Sequence, residues 1–175
     1  MNENDRIWIE VKGYSVAAIN KVARTSLIAI PEKGGKNRKP CTDNTVGFIR
    51  NPYDRLVSCY KDKSKNSRYW GQCFTCFSDF VRYVYNMPDE IIDKHARSQS
   101  WFMEPFPQQI IRFEEINEWF ASIGITLKRK NTSNKKSWKH YYYDKNLMKL
   151  VRERYKKDFK IYERTGVSGV LLKRA

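Results

Sequence analysis

Apolar residues fall into short blocks along the chain, and the spacing inside each block predicts an element. Residues 7–11 read Ile-Trp-Ile-Glu-Val, a β-like run closed by Lys12-Gly13. Residues 15–19 form a second apolar strand. A polar corner at Asn20-Lys21 then leads into a helix over 22–30 that stops before Pro31. Residues 32–44 are rich in Gly, Lys and Pro and read as a loop. Residues 45–49 are apolar and strand-like, and Arg50-Asn51-Pro52 follows at once. Asn is a good N-cap and Pro is favoured at the first helical position, so the spacing predicts a helix over 52–63 with Leu56, Val57 and Tyr60 inward.

Residues 61–69 are basic and polar, and are expected to be exposed. Phe77, Val81, Val84 and Tyr85 recur at helical spacing, which predicts a helix over 74–86. Pro88-Asp89 opens another, carrying Ile91, Ile92 and His95. Residues 110–113 read as a strand and 114–123 as a helix ended by Gly124. A basic loop covers 128–139. Asp144 is placed to cap a last helix with Leu147, Leu150, Val151 and Tyr155 inward.

Strands alternating with helices imply an α/β fold with a mostly parallel central sheet flanked by helical layers. No internal repeat or domain-sized linker interrupts the chain, so residues 1–175 are expected to form a single domain. In such sheets ligands bind beyond the carboxyl ends of strands. That rule directs attention to the corners after Ile19 and Ile49.

Composition narrows the partners. The 175 residues are 41% hydrophobic, enough for a core, and the polar N-terminus lacks the apolar region of a signal peptide. No stretch approaches the roughly 20 apolar residues of a membrane span. The expectation is a soluble, cytoplasmic protein. Cys41, Cys59, Cys73 and Cys76 are then reduced thiols. Cys73-x-x-Cys76 has no second pair to complete a zinc site, so no metal is expected. Thirty-four basic against nineteen acidic residues give a net charge of +15. That favours a polyanionic partner, whether nucleic acid, a nucleotide or an acidic polysaccharide.

Both corners are suited to anions. The first, Asn20-Lys21-Val22-Ala23-Arg24-Thr25-Ser26, combines two cations and two hydroxyls with a helix start. The plainer reading is a solvated basic helix start, and the residues alone do not choose. In the second, Arg50 leaves the end of an apolar strand, where a guanidinium can grip phosphate through two parallel hydrogen bonds. Ser58 follows two helical turns later. Local capping and surface pairing are the plainer reading for Asp54 and Arg55, and the one favoured for Asp54. No Walker loop is present, because Gly34-Gly35-Lys36 lacks both the earlier glycine and the following Ser or Thr.

Lys21-Val22-Ala23-x-Thr25-Ser26, a strand, and then Arg50-Asn51-Pro52-Tyr53-Asp54-Arg55-Leu56-Val57-Ser58-x-Tyr60-x-Asp62-Lys63 resemble the sulfotransferases that use 3′-phosphoadenosine-5′-phosphosulfate (PAPS), in the carbohydrate branch known as family 2. Asp93-x-His95-x-x-x-Gln99, Arg112-Phe113-Glu114-Glu115-Ile116, Asn131-x-Ser133, Tyr141-Tyr142-x-Asp144 and Tyr155-x-x-Asp158-Phe159 continue the likeness in order. The chain departs from the branch at Asn20 and Ser98, where it usually has proline, and at Arg24, where it has a small residue.

The resemblance implies a three-layer, P-loop-like fold. It also implies metal-free, in-line transfer of a sulfuryl group from PAPS to an acceptor hydroxyl, releasing 3′-phosphoadenosine-5′-phosphate (PAP). Lys21, Val22, Ala23, Arg24, Thr25 and Ser26 are expected on the 5′-phosphosulfate, Arg50 and Ser58 on the 3′-phosphate, and Asn131 and Ser133 near the nucleotide. Lys21 and His95 are the candidate catalytic residues: an imidazole can take the acceptor's proton at neutral pH, although a lone His often makes only a structural hydrogen bond. Tyr69, Trp70 and Trp101 are candidates for an acceptor groove. The acceptor is expected to be a carbohydrate, an acidic one fitting the charge, with no nucleic-acid partner. A basic nucleic-acid-binding protein, or a nucleotide-binding relative without turnover, are the alternatives.

Overall fold

Lys12 and Gly13 decide the first turn of the chain. Both have positive φ, 49° and 79°, the backbone of a tight turn whose twist suits two antiparallel strands. Strands β1 (Trp8–Val11) and β2 (Tyr14–Ala17) therefore fold back on each other, Trp8 opposite Ala17 and Val11 opposite Tyr14. The computed structural model describes residues 6–22, 24–30, 33–127, 137–165 and 170–171.

Helix α1 (Arg24–Ile28) is shorter than predicted and buries Leu27. Strand β3 (Lys33–Asn37) then pairs antiparallel with the outer side of β1, inside the stretch predicted as loop. Glycine eases a close approach here: a Cβ on Gly34 would lie 2.8 Å from the Glu10 carboxylate and 3.0 Å from the Glu10 Cβ. Strand β4 (Thr45–Ile49) has the predicted bounds and runs parallel to β2. Strand β5 (Gln109–Arg112) runs parallel to β4, and β6 (Val170–Leu171) lies antiparallel beyond it.

The sheet order is β3-β1-β2-β4-β5-β6. The expected mostly parallel sheet is thus corrected to a mixed one, in which only the neighbours β2, β4 and β5 pair in parallel and the other three pairings are antiparallel. The cause is the two-residue turn at Lys12-Gly13, since a parallel pair needs a crossover of a dozen or more residues.

Helix α2 (Pro52–Lys63) also has its predicted bounds. The Asn51 side chain accepts the Tyr53 N–H at 3.0 Å, and Pro52 takes the first helical position. Helix α3 (Ser67–Trp70) begins in the stretch expected to be exposed, where Ser64 is buried, and ends on the buried Trp70 just beyond it. Helix α4 (Phe77–Asn86) follows. The helix expected after Pro88 does not form. Residues 88–97 run as turns, with Ile91 exposed and Ile92 buried, before helix α5 (Gln99–Phe102). The chain passes from β5 through a 3-10 turn into α6 (Ile116–Ser122). Asp144 caps α7 (Lys145–Arg154), accepting the Asn146 N–H at 2.8 Å, and α8 (Lys156–Arg164) continues after Tyr155.

Two apolar clusters flank the site edge. One joins the sheet to α1, α5 and α6, with Phe48 stacked on Phe120. The other is helical: Tyr53, Leu56 and Val57 of α2 meet Phe80 and Val84 of α4, Val151 of α7, and Phe159 of α8. No described helix is long and apolar enough to cross a membrane.

The hairpin supplies a test of the fold. Valine at position 13 must adopt φ near 79°, at a cost of about 1–2 kcal/mol for an L-residue. Gly13→Val should lower Tm by roughly 2–8 °C. An unchanged melting curve would contradict the turn.

Candidate functional site

Parallel strands bring their carboxyl ends to one edge of the sheet. The chain leaves β2 there through residues 18–21, leaves β4 at Arg50, and leaves β5 at Arg112, which sits opposite Ile49. Both predicted corners therefore meet.

Arg50 is gripped on every side. Its N–H donates to Gln99 Oε1 at 2.9 Å and its carbonyl accepts from Gln99 Nε2 at 2.9 Å. Its Nε donates to Asp54 Oδ2 at 2.8 Å, and its Nη1 to the Lys21 carbonyl at 3.0 Å. The guanidinium lies 4.9 Å over the Phe113 ring. So the first two predicted anion ligands, Lys21 and Arg50, are joined directly.

Lys21 has φ of 63°, the left-handed region that a lysine rarely adopts. Two contacts hold it there: the Arg50 bond to its carbonyl, and its ammonium on Asp62 Oδ2 at 2.6 Å. Asp54, Ser58 and Asp62 are spaced four apart along α2 and so form one row on the helix. Asp54 holds Arg50, Asp62 holds Lys21, and Ser58 sits between them, half-buried and without a hydrogen-bond partner among the described residues.

A series of contacts runs on from Lys21 to His95. Lys63 Nζ reaches the same Asp62 oxygen at 3.3 Å and lies 4.9 Å over the Tyr69 ring. Tyr69 packs edge-on against His95, ring centres 5.1 Å apart. His95 Nδ1 meets Asp93 Oδ1 at 2.6 Å, and the His95 backbone N–H reaches the same oxygen at 2.9 Å. Burial pushes the Asp93 carboxyl up, but the two His95 hydrogen bonds outweigh it and hold the group below the usual carboxylate range. With Nδ1–H donated to Asp93, Nε2 is the nitrogen left to accept a proton.

Buried polar contacts fix this edge from behind. Asp158, fully buried, accepts the N–H of Gln99 at 2.7 Å and of Ser100 at 2.9 Å. Burial raises its carboxyl despite those bonds. Tyr155 Oη donates to the Ala96 carbonyl at 2.5 Å. Asp89 accepts Arg154 Nη2 at 2.6 Å and the Ser98 N–H at 3.0 Å.

Arg55, for which the sequence left surface pairing open, is buried. It is 2% exposed and donates Nε to the Asn20 carbonyl at 3.1 Å. Its apolar neighbours on α2 pull the whole turn inward. Arg55 Nη2 and Asn20 Nδ2 are both buried with no partner among the described residues.

The remaining candidates divide. Val22 is buried; Arg24, Thr25 and Ser26 lie on α1, Thr25 the most open. Five helical residues give little dipole, so anion affinity there rests on side chains. Ala23, Asn131 and Ser133 fall outside the described residues. Of the acceptor-groove candidates, Tyr69 is beside His95. Trp70 instead joins the helical core and donates Nε1 to the Lys63 carbonyl at 2.8 Å, and Trp101 lies between Arg6 and Arg97. Cys73 Sγ donates to the Lys65 carbonyl, and Cys76 pairs with Ser78. No group of three metal-ligating side chains occurs among the described residues.

Sequence reasoning assigned no role to Asp62 and Lys63. Their signal was the four-residue spacing from Ser58 to Asp62. A groove of about 370 Å³ lined by Pro40, Thr42, Phe106 and Gln108 opens at the opposite end of β4, at Thr45, and touches none of these residues.

Residues 17–163, which span both corners and the His95 segment, match the model of the sulfotransferase family, family 2. No curated protein and no solved structure matches the chain.

The segment before α5 carries a pH signature. Burial pushes the Asp89 carboxyl up, and Arg154 with Ser98 outweighs it, so its folded pKa is lowered. A lowered carboxylate stabilises the fold above the unfolded pKa of about 3.9. That stabilisation is lost as pH falls through the folded value. Between about pH 6 and pH 2, Asp89→Asn should therefore show a shallower loss of stability than the wild type in denaturant titrations. Parallel curves would remove Asp89 from the acid transition.

Proposed function

Because the chain belongs to the sulfotransferase family, a family of sulfuryl transferases, we propose that it transfers the sulfuryl group of PAPS to a carbohydrate hydroxyl. The observation that carries this reading is the joined corner: Arg50 bonded to the Lys21 backbone, with Ser58 unpartnered on the helix row between their two carboxylates.

Arg50 and Ser58 bind the 3′-phosphate. Asp54, the Lys21 carbonyl and the Phe113 face fix the guanidinium, and Gln99 fixes the backbone that carries it, so a phosphate meets donors already oriented, which favours a bisphosphate such as PAPS over ATP. Thr25 and Ser26, with the backbone of Val22 and Ala23, hold the 5′-phosphosulfate, and Arg24 adds charge beside them. Asn131 and Ser133 lie toward the nucleotide in the same reading, whose P-loop-like character needs no Walker glycines.

In the reaction, an acceptor oxygen attacks sulfur in line and forms the new S–O bond. The bond from sulfur to the 5′-phosphate oxygen breaks, and its electron pair stays on the phosphate. Lys21 neutralises the charge that grows there. The acceptor proton passes to His95 Nε2, and Asp93 stabilises the resulting imidazolium. These groups supply positioning and charge, which dominate transfers of this kind. Tyr69 borders the space in front of His95, where a sugar can pack on an aromatic face. The net charge of +15 suits an acidic polysaccharide.

Calorimetry with PAP, ATP and a random oligonucleotide is the direct test. PAP should bind selectively, and Arg50→Ala should weaken it by about 1.5–3 kcal/mol, the worth of a hydrogen bond to a charged group. Equal binding of ATP with strong, salt-dependent oligonucleotide binding would favour a nucleic-acid-binding protein instead. His95→Ala should lower turnover by about 10²–10⁴-fold with PAP affinity unchanged; a loss under tenfold removes His95 from the proton step. A wild type that binds PAP but turns over no acceptor is a relative without activity.

A further inference from the structure

The Asp62 carboxylate is doubly engaged. One oxygen, Oδ2, takes the Lys21 ammonium at 2.6 Å and the Lys63 ammonium at 3.3 Å. Lys63 is anchored on its far side by Tyr69. We propose that Asp62 and Lys63 form a hand-over device: Asp62 parks Lys21 until the donor binds, and Lys63 keeps Asp62 paired when Lys21 moves to the donor's 5′-phosphate.

This inference rests on the PAPS reading of the same corner. Lys21 cannot serve the 5′-phosphate while its ammonium stays on Asp62, so donor binding must break or stretch that pair. Without a second cation, the release would leave a bare carboxylate beside an incoming anion. Like charges at such range repel strongly when partly shielded from water. Lys63 removes that cost, because the oxygen that loses one ammonium keeps another.

The charges agree with this arrangement. Burial pushes the Asp62 carboxyl up, but hydrogen bonds and charge from Lys21, then Lys63, outweigh it and hold the group low. Burial lowers Lys63, and Asp62 followed by Tyr69 outweighs that and raises it. Side-chain exposure is 15% for Lys21 and 21% for Lys63, against 49% for Asp62. The two cations are thus the better-shielded members, and the carboxylate is the more exposed one.

Asp62 and Lys63 are therefore positioning residues, and their roles are separable from a direct contact with nucleotide. In the full chain, Lys63→Met should weaken PAP binding about three- to tenfold, because Asp62 then competes for Lys21 unopposed. Asp62→Asn should leave PAP affinity equal or raise it a few fold. The double variant should match Asp62→Asn alone, so that the Lys63 effect disappears once the carboxylate is neutral. Lys63→Arg should restore wild-type affinity.

Each step is read by calorimetry with PAP, alongside Tm to confirm folding. If Asp62→Asn does not fold, Asp62→Ser replaces it in the cycle. A Lys63→Met loss that persists in the neutral Asp62 background would show Lys63 on the nucleotide and overturn the proposal. So would a Lys63→Met variant that binds PAP as well as the wild type. Failure of the wild type to bind PAP overturns the PAPS reading as well; failure of the coupling alone leaves that reading standing.

Discussion

A single buried carboxylate organises the site edge. Asp158 is fully enclosed, and its two oxygens each accept one backbone N–H at the start of α5, from Gln99 and Ser100. A charged or polar group so deep is tolerable only when its hydrogen bonds are made. Those bonds fix Gln99, whose side-chain amide then grips both the N–H and the carbonyl of Arg50. Arg50 in turn reaches back to the Lys21 carbonyl. Four residues from distant parts of the chain thus form one connected polar path, of the kind whose members reinforce one another in a low-dielectric setting. The tertiary position of both corners depends on α8 packing against β4.

The electrostatics repeat one motif at two points. Arg50 is held by Asp54 and Lys21 by Asp62, two turns apart on α2. Exposed pairs of this sort contribute little stability, on the order of 1 kcal/mol or less. Their value lies in orientation. Each carboxylate holds a cation in a fixed place before any ligand is present, which lowers the ordering cost of binding. Under the proposed function the two carboxylates act differently. Asp54 contacts Arg50 through Nε and the Lys21 carbonyl takes Nη1, leaving Nη2 for a phosphate. Asp62 occupies the Lys21 ammonium itself, so it has to yield.

Much of this was legible in the sequence wherever the cause is local. Asn51-Pro52 fixed the start of α2 and Asp144 that of α7, because capping is written into adjacent residues. The paired corners followed from strand-then-helix order. The rest is non-local. Strand β3 has a Gly-Gly core with no side-chain pattern, and only the approach to Glu10 explains it. The mixed sheet turns on Lys12 accepting positive φ, which lysine seldom does. The helix expected after Pro88 is displaced by long-range bonds: Arg154 and Ser98 claim Asp89, and Tyr155 claims the Ala96 carbonyl. The role of Arg55 stayed open in the sequence because its partner is Asn20, thirty-five residues away.

That last pair bears on how the corner tolerates its own unusual residues. Asn20 stands where family 2 usually has proline. Proline fixes φ and so stiffens the backbone before Lys21; asparagine does not. Here the stiffness comes from outside the segment. Arg55 holds the Asn20 carbonyl and Arg50 holds the Lys21 carbonyl, so two guanidiniums pin successive peptide groups. The left-handed φ of Lys21 is then imposed by tertiary contacts rather than by local propensity, the usual condition under which such a conformation persists. The same two arginines leave from α2 and from two residues before it. One strand-to-helix junction therefore sets the shape of the other corner, and the two corners are built as a unit.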